Sequence, residues 1–202
     1  MRTGWTVVGS IVLTVAIGAV LFANGFGPLA LADRSGRLGT GEAKGRIDQA
    51  LRATMDGVFP SLTYAGADFE VRREHDRWDG EPSMVSDVEE VVTVRTSISQ
   101  TKLLTLMDQV SRAWTALGSR VVDRSEPADK HPYLRGVGQV GGETYLTFSA
   151  EATQDSTYLV TFRAGVGGVL YQPAHEYEPM SPLARTPFYA KVDPVDDPYW
   201  SH

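Results

Sequence analysis

The residues best suited to metal chemistry are two histidines that stand among carboxylates. His75 lies within Glu74-His75-Asp76, and His175 lies within His175-Glu176-Tyr177-Glu178. Imidazole and carboxylate groups are ordinary Zn²⁺ ligands, but a site needs them at a spacing that the fold can bring together. No two histidines of the chain have a metal-ligand spacing on one element. The sequence therefore predicts exposed loop histidines and no metal site.

An acidic pair, Glu89-Glu90, is the next candidate because two carboxylates can act together in acid–base catalysis. The pair stands at the start of a predicted strand. Adjacent strand residues point to opposite faces of a sheet, so these two carboxylates are not expected to share a site. We expect both to be solvated.

Other catalytic patterns are absent or out of context. The segment Gly136-Val-Gly-Gln-Val-Gly141 matches the spacing of a dinucleotide-binding fingerprint, but a strand is predicted after it where a helix is required. The sequence has no Gly-x-Ser-x-Gly elbow, phosphate-binding loop or His-Glu-x-x-His motif. We therefore predict a protein that is not an enzyme and has no cofactor. A hydrolase with dispersed catalytic residues is a third-ranked alternative.

The first 32 residues determine where any of this chemistry takes place. From Trp5 to Ala23 the sequence has 19 residues without a charge, which as a helix would span roughly 28 Å, close to the ~30 Å of a bilayer core. One interpretation is an uncleaved signal anchor. The other is a signal peptide cleaved after Ala30-Leu31-Ala32, which would give a secreted protein. The length favours the anchor, with lipid contacts from Trp5, Ile11, Leu13, Ile17, Leu21 and Phe22.

Either interpretation places residues 33–202 outside the cell membrane, since a signal-type leader exports the chain that follows it. The net charge of −6 argues against a nucleic-acid-binding protein. The chain has no cysteine, which excludes a lipoprotein anchor. Arginine outnumbers lysine by 15 to 4, a bias typical of GC-rich genomes such as those of actinobacteria.

Hydrophobic periodicity predicts two helices in a domain that covers residues 42–165, after a Gly-rich linker at 33–41. The first runs from Glu42 to Val58 and is stopped by Pro60. The second runs from Gln100 to Leu117, with Ser99 as N-cap, Gly118 after its end and Trp114 on its apolar face.

Alternating patterns predict six strands. Two lie between the helices, around Ala67–Arg72 and Val91–Ile98, separated by a polar loop from His75 to Ser86. A short strand at 120–124 follows the second helix, and a meander of three strands then ends at Ala164. The order α-β-β-α-β-β-β-β predicts an α+β fold: an antiparallel sheet with both helices on one face.

A Pro/aromatic-rich tail covers residues 166–202, where six prolines fall in the last 30 residues. This composition predicts no regular structure. The tail is a flexible extension, a strap on the domain itself, or a peptide that docks on a partner. Aromatic side chains of loops and tails are suited to partner contacts, and the candidates are Trp78, Tyr177, Phe188, Tyr189, Tyr199 and Trp200.

Residues 103–162 resemble a pattern in small exported actinobacterial proteins, many of them lipoproteins. The matching pieces are Trp114-Thr-Ala-Leu-Gly118, Val121-Val122 and Gly141-Gly-Glu-Thr-Tyr-Leu146. The chain departs from that family in lacking the lipobox cysteine and in its long tail. The resemblance implies an exported α+β domain of unknown function and provides no catalytic residues.

These observations lead to two hypotheses of function. The first is a membrane-tethered extracytoplasmic module that binds an envelope protein through its tail, as an accessory subunit of a cell-envelope complex. The second is a secreted carrier or sensor of a small ligand. The mature N-terminus would distinguish an anchored chain from a released one.

Overall fold

A computed structural model describes residues 37–75, 80–125, 131–138, 144–173, 177–188 and 190–202. The leader with its six predicted lipid contacts, the cleavage site after Ala32, and the hairpin turn at Gly141-Gly142 lie outside the described residues. Among the residues described, no helix is both long and apolar enough to span a membrane.

The described residues form two helices and seven strands. The helices are α1 (Thr40–Asp56) and α2 (Gln100–Ala116). The strands are β1 (Tyr64–His75), β2 (Pro82–Val94), β3 (Ile98–Ser99), β4 (Arg120–Arg124), β5 (Tyr133–Gly138), β6 (Thr144–Ala152) and β7 (Thr157–Leu170).

All strands join one antiparallel sheet in the order β1-β2-β7-β6-β5-β4, with β3 paired to β7. The predicted α+β class and antiparallel sheet are confirmed. One predicted strand is divided in two, because the backbone of Arg95 and Ser97 bonds to Val195 between β2 and β3. The described residues therefore contain seven strands where six were predicted.

Both helices pack on the same face of the sheet, α1 on β2 and β7, and α2 on β4, β5 and β7. The helices also contact each other: Trp114 Nε1 donates a hydrogen bond of 2.9 Å to Thr54 Oγ1, and both residues are buried. Trp114 is thus a core residue, as its place on the apolar stripe predicts. We call the opposite face of the sheet the outer face.

Two predicted boundaries are wrong. The loop predicted from His75 to Ser86 is too long, since β1 extends to His75 and β2 begins at Pro82. The tail predicted from residue 166 begins later, because β7 continues to Leu170 and pairs with β2 as far as Val85. Glycine makes this continuation possible: a Cβ at Gly165 would overlap the ring of Tyr145, which lies across that backbone.

The C-terminal strap, which we define as residues 177–188 and 190–202, lies on the domain. Its first part packs beside α1, where Met180 is buried. It then pairs with the edge of β1 through Ala67, which donates to Ala184 O (3.0 Å) and accepts from Thr186 N (2.9 Å). A Cβ at Gly66 would overlap both strap residues, so glycine there permits the close approach.

Candidate partner-binding surface

The distal end of the strap is anchored by Trp200, a predicted partner contact that the structure buries completely. Its indole Nε1 donates to Pro60 O at 2.8 Å, and its carbonyl accepts from Ser99 N at 2.7 Å. Asp197 Oδ1 accepts from the backbone N–H groups of both Tyr199 and Trp200, each at 2.9 Å. Trp200 therefore completes the domain's own core instead of facing solvent.

Tyr199, also a predicted contact, remains accessible beside this anchor. Its side chain is 38% exposed and its ring meets the Trp200 ring edge-on, with centroids 4.9 Å apart. Lys102 Nζ lies 3.9 Å from the Tyr199 ring centroid. Tyr199 is thus a partly exposed aromatic ring that packs on the buried Trp200 and lies beside the positive charge of Lys102.

The remaining predicted contacts are dispersed. Tyr177 packs at 5.7 Å against the Phe69 ring on the helix side and hydrogen-bonds Gln172. Phe188 lies on the outer face, 44% exposed, with the Arg163 guanidinium 4.9 Å from its centroid. Trp78 and Tyr189 lie outside the described residues. The structure therefore does not gather the six predicted residues into one site.

Sequence reasoning missed Phe59, which is 80% exposed. Its backbone is held by the side-chain amide of Gln109: Phe59 N donates to Gln109 Oε1 at 2.7 Å, and Gln109 Nε2 donates to Phe59 O at 2.8 Å. The available signal was a large apolar residue beside Pro60, just past a helix end. The hydrogen bonds that hold Phe59 come from Gln109, 50 residues away, and no local sequence pattern identifies such a pair.

Phe59, Lys102 and Tyr199 form a surface that we call the Phe59 patch. Phe59 is linked to the other two members indirectly, because its neighbour Pro60 accepts a hydrogen bond from Trp200 and the Tyr199 ring packs on Trp200. Lys102 lies over the Tyr199 ring. Hydrogen bonds hold the backbone of both aromatic residues, Phe59 through Gln109 and Tyr199 through Asp197. The patch combines two accessible aromatic rings, a residue type enriched at binding interfaces, with one positive charge.

Glu90 forms a buried acid–base cluster on the helix side of the sheet. It is fully buried, accepts from Met180 N at 2.6 Å, and lies 3.4 Å from Lys44 Nζ, which also pairs with Asp48 at 2.7 Å. Burial raises the pKa of Glu90; the Met180 N–H and the Lys44 charge oppose this, and Asp48 adds to it. This buried carboxyl therefore holds the strap against the sheet through Met180.

Glu89 points to the outer face, where Tyr145 Oη donates to it at 3.0 Å and Arg163 Nη1 lies 3.3 Å away. Arg72 also pairs with it. Burial raises the pKa of Tyr145, against the effect of both arginines. The prediction of opposite faces for Glu89 and Glu90 is confirmed. The prediction that both are solvated is wrong, because they lie in the middle of a central strand with partners on each side.

A groove of about 500 Å³ runs along the outer face between the strap and strands β6 and β7. Its floor includes Thr93, Ser149 and Thr161, and its strap wall includes Phe188 and Lys191. On the helix side, a much smaller cavity of about 20 Å³ between α1 and the β5–β6 hairpin is large enough for one water molecule.

Three of the four histidines lie within the described residues, and His75 ends β1. His131 lines the outer-face groove, His202 Nε2 lies 3.2 Å from Asp196 Oδ2, and His175 lies outside the described residues. Within the described ranges, no group of three or more His, Cys, Asp or Glu side chains has a geometry that could hold a metal ion.

Comparison with family models, with curated proteins and with solved structures found no match to this chain. The function must therefore be argued from the geometry of the surface.

Proposed function

We propose that this chain is a membrane-tethered extracytoplasmic protein-binding module, an accessory subunit of a cell-envelope complex that engages its partner through the Phe59 patch and is not an enzyme. The observation that carries the proposal is Phe59 itself, 80% exposed on a backbone held by Gln109. An apolar ring this exposed gains nothing for the fold.

The energetics favour a binding role for this ring. An aromatic side chain buries ~150–250 Å² at an interface, and at ~25 cal/mol per Å² this is worth roughly 4 kcal/mol or more before the costs of association. Those costs fall when the anchor is already ordered. The Gln109 hydrogen bonds provide that order, and Tyr199 adds an adjacent contact.

The Phe59 patch lies away from the point where the predicted linker joins the domain. The linker joins at the start of α1, whereas Phe59 follows the end of that helix. Seventeen helical residues span roughly 25 Å, so the two points lie at opposite ends of α1. A partner protein on the Phe59 patch would therefore not compete with the linker for the same surface of the domain.

Site-specific photocrosslinking in the full chain tests this proposal. A photoreactive residue at position 59 is expected to trap a distinct protein in membrane fractions, whereas the same residue at Leu104 or Val122 should not. Those controls are apolar side chains of 46% and 47% exposure on other elements. Equal products from all three positions, or only lipid adducts from position 59, would contradict the proposal.

The second candidate is a secreted small-ligand carrier or sensor, released by cleavage after Ala32. The specific observation in its favour is the outer-face groove of about 500 Å³, within the ~300–1,000 Å³ of small-molecule sites. Sequencing the mature N-terminus separates the two candidates, since an intact Met1 supports the tether and a start at Asp33 supports release.

A further inference from the structure

Three hydroxyl side chains form a row across the floor of the outer-face groove. Ser149 on β6 pairs directly with Thr161 on β7, and Thr161 pairs with Thr93 on β2. Neighbouring strands are ~4.8 Å apart, so the row offers hydroxyls at a regular spacing. Ser149 Oγ and Thr161 Oγ1 are 2.7 Å apart and one donates to the other. The accepting hydroxyl keeps its proton to donate outward, and both oxygens keep lone pairs.

An aromatic wall borders this row. Phe188 lines the groove, and its ring is held by the Arg163 guanidinium at 4.9 Å while remaining 44% exposed. The face of an aromatic ring is electron-rich and attracts weakly positive C–H groups. The groove therefore combines a polar floor with an apolar, π-rich side.

The charges at the rim balance, because Glu151 and Lys191 both line the groove and have opposite signs. The groove thus selects neither an anion nor a cation. Strands β2, β7 and β6 are each hydrogen-bonded to a neighbour on both sides, so their backbone groups are not available to add a peptide strand. Recognition at this floor must use the hydroxyl side chains.

We propose that this groove is a binding site for a neutral sugar or short oligosaccharide, with Thr93, Ser149 and Thr161 bonding its hydroxyls and Phe188 stacking on its C–H face. The ligand's own alternation of hydroxyls and C–H groups matches the groove's two surfaces. The site is independent of the Phe59 patch, so either can exist without the other.

Titration calorimetry on the full chain tests the site directly. The chain is held in a phosphocholine detergent, which carries no sugar, and titrated with maltotetraose, cellotetraose or chitotetraose. We expect saturable heat with at least one of them, and slower hydrogen–deuterium exchange in the peptide that contains residues 188–192. No heat and no protection with any of the three at about 10 mM, ten times a weak Kd of ~1 mM, overturns the proposal.

Variants locate the binding. The double substitution S149A/T161V should weaken the affinity about tenfold, the usual effect of losing about 1.4 kcal/mol of hydrogen bonding. The matched control is T147V, on the same strand and the same face but outside the groove. F188L keeps an apolar side chain between the strap and the sheet but removes the aromatic face, and should weaken binding without releasing the strap. Binding unchanged by S149A/T161V and by F188L, or an uncharged peptide that binds while no sugar does, would also overturn the proposal.

Discussion

The side-chain amide of Gln109 makes two hydrogen bonds to the backbone of Phe59, one to its N–H at 2.7 Å and one to its carbonyl at 2.8 Å. Gln109 lies on the solvent side of α2, where it contributes nothing to the apolar core. Phe59 is a loop residue with no neighbouring strand, and the Gln109 side chain satisfies its backbone N–H and carbonyl as a paired strand would. The consequence is a rigid backbone beneath an exposed ring.

Replacement of Gln109 tests this role. Q109A should lower the free energy of unfolding by about 1–2 kcal/mol, because two exposed hydrogen bonds are lost at ~0.5–1.5 kcal/mol each. It should also weaken crosslinking from position 59. Q109E keeps the acceptor for Phe59 N but loses the donor, and an intermediate value is expected in urea denaturation. A Q109A protein as stable as the wild type would show that the two bonds contribute no net stability.

Replacement of Phe59 should separate binding from stability. F59A is expected to change the free energy of unfolding by less than ~0.5 kcal/mol, since a side chain that is 80% exposed leaves no cavity. The same variant should lose retention of the crosslinked partner in a pull-down with purified chains. Loss of stability comparable to that of a core truncation would instead assign Phe59 a structural role.

The two neighbouring aromatics of the strap should behave differently. W200A is expected to cost ~3–5 kcal/mol, as does truncation of a buried aromatic, because Trp200 is fully buried and its indole N–H is bonded to Pro60. Y199A removes a partly exposed ring and should cost less than ~1 kcal/mol. Thermal unfolding of both variants provides the measurement, and equal losses would contradict the assignment of Trp200 as the anchor.

Burial of Glu90 predicts a specific dependence on pH. Its pKa in the folded chain is raised above the ordinary value of 4.5 mainly by burial. Between the two values the folded state holds a proton that the unfolded state has released, so stability falls as the pH rises through that window. E90Q should remove the contribution of Glu90 to this pH dependence. As the pH rises from 4.5, the free energy of unfolding of the wild type should therefore fall relative to that of E90Q. E151Q, at an exposed carboxyl, is the control, and the same dependence of stability on pH in E90Q and wild type would refute the prediction.

The close approach of Tyr145 to Gly165 predicts a coupled pair. G165A should destabilise the chain by more than ~1 kcal/mol, because its methyl group would displace the Tyr145 ring and its bond to Glu89. In a Y145A background the same change should cost far less. A double-mutant cycle measures the coupling free energy between the two positions. Additive effects would show that the position of the Tyr145 ring does not require glycine at position 165.

Local patterns were sufficient for much of this fold. The apolar stripe that contains Trp114 correctly predicted α2, and the alternation around Phe69 correctly predicted β1. Both patterns are local, because the periodicity of a helix or a half-buried strand depends only on residues close in sequence. The sequence did not reveal that Glu90 is buried, since its partners Lys44 and Met180 are 46 and 90 residues away. The same holds for the Phe59 patch, whose geometry depends on Gln109 and on the folded-back strap.

The hydrogen bond between Trp200 and Pro60 joins residues 140 positions apart. The core around Pro60 can therefore close only when the strap has folded back over the domain, since the indole that fills it belongs to Trp200. Contacts of such wide separation form late. Closure of this part of the core is therefore expected to be a slow step of folding, because the two ends of a long segment must meet before the contact can form.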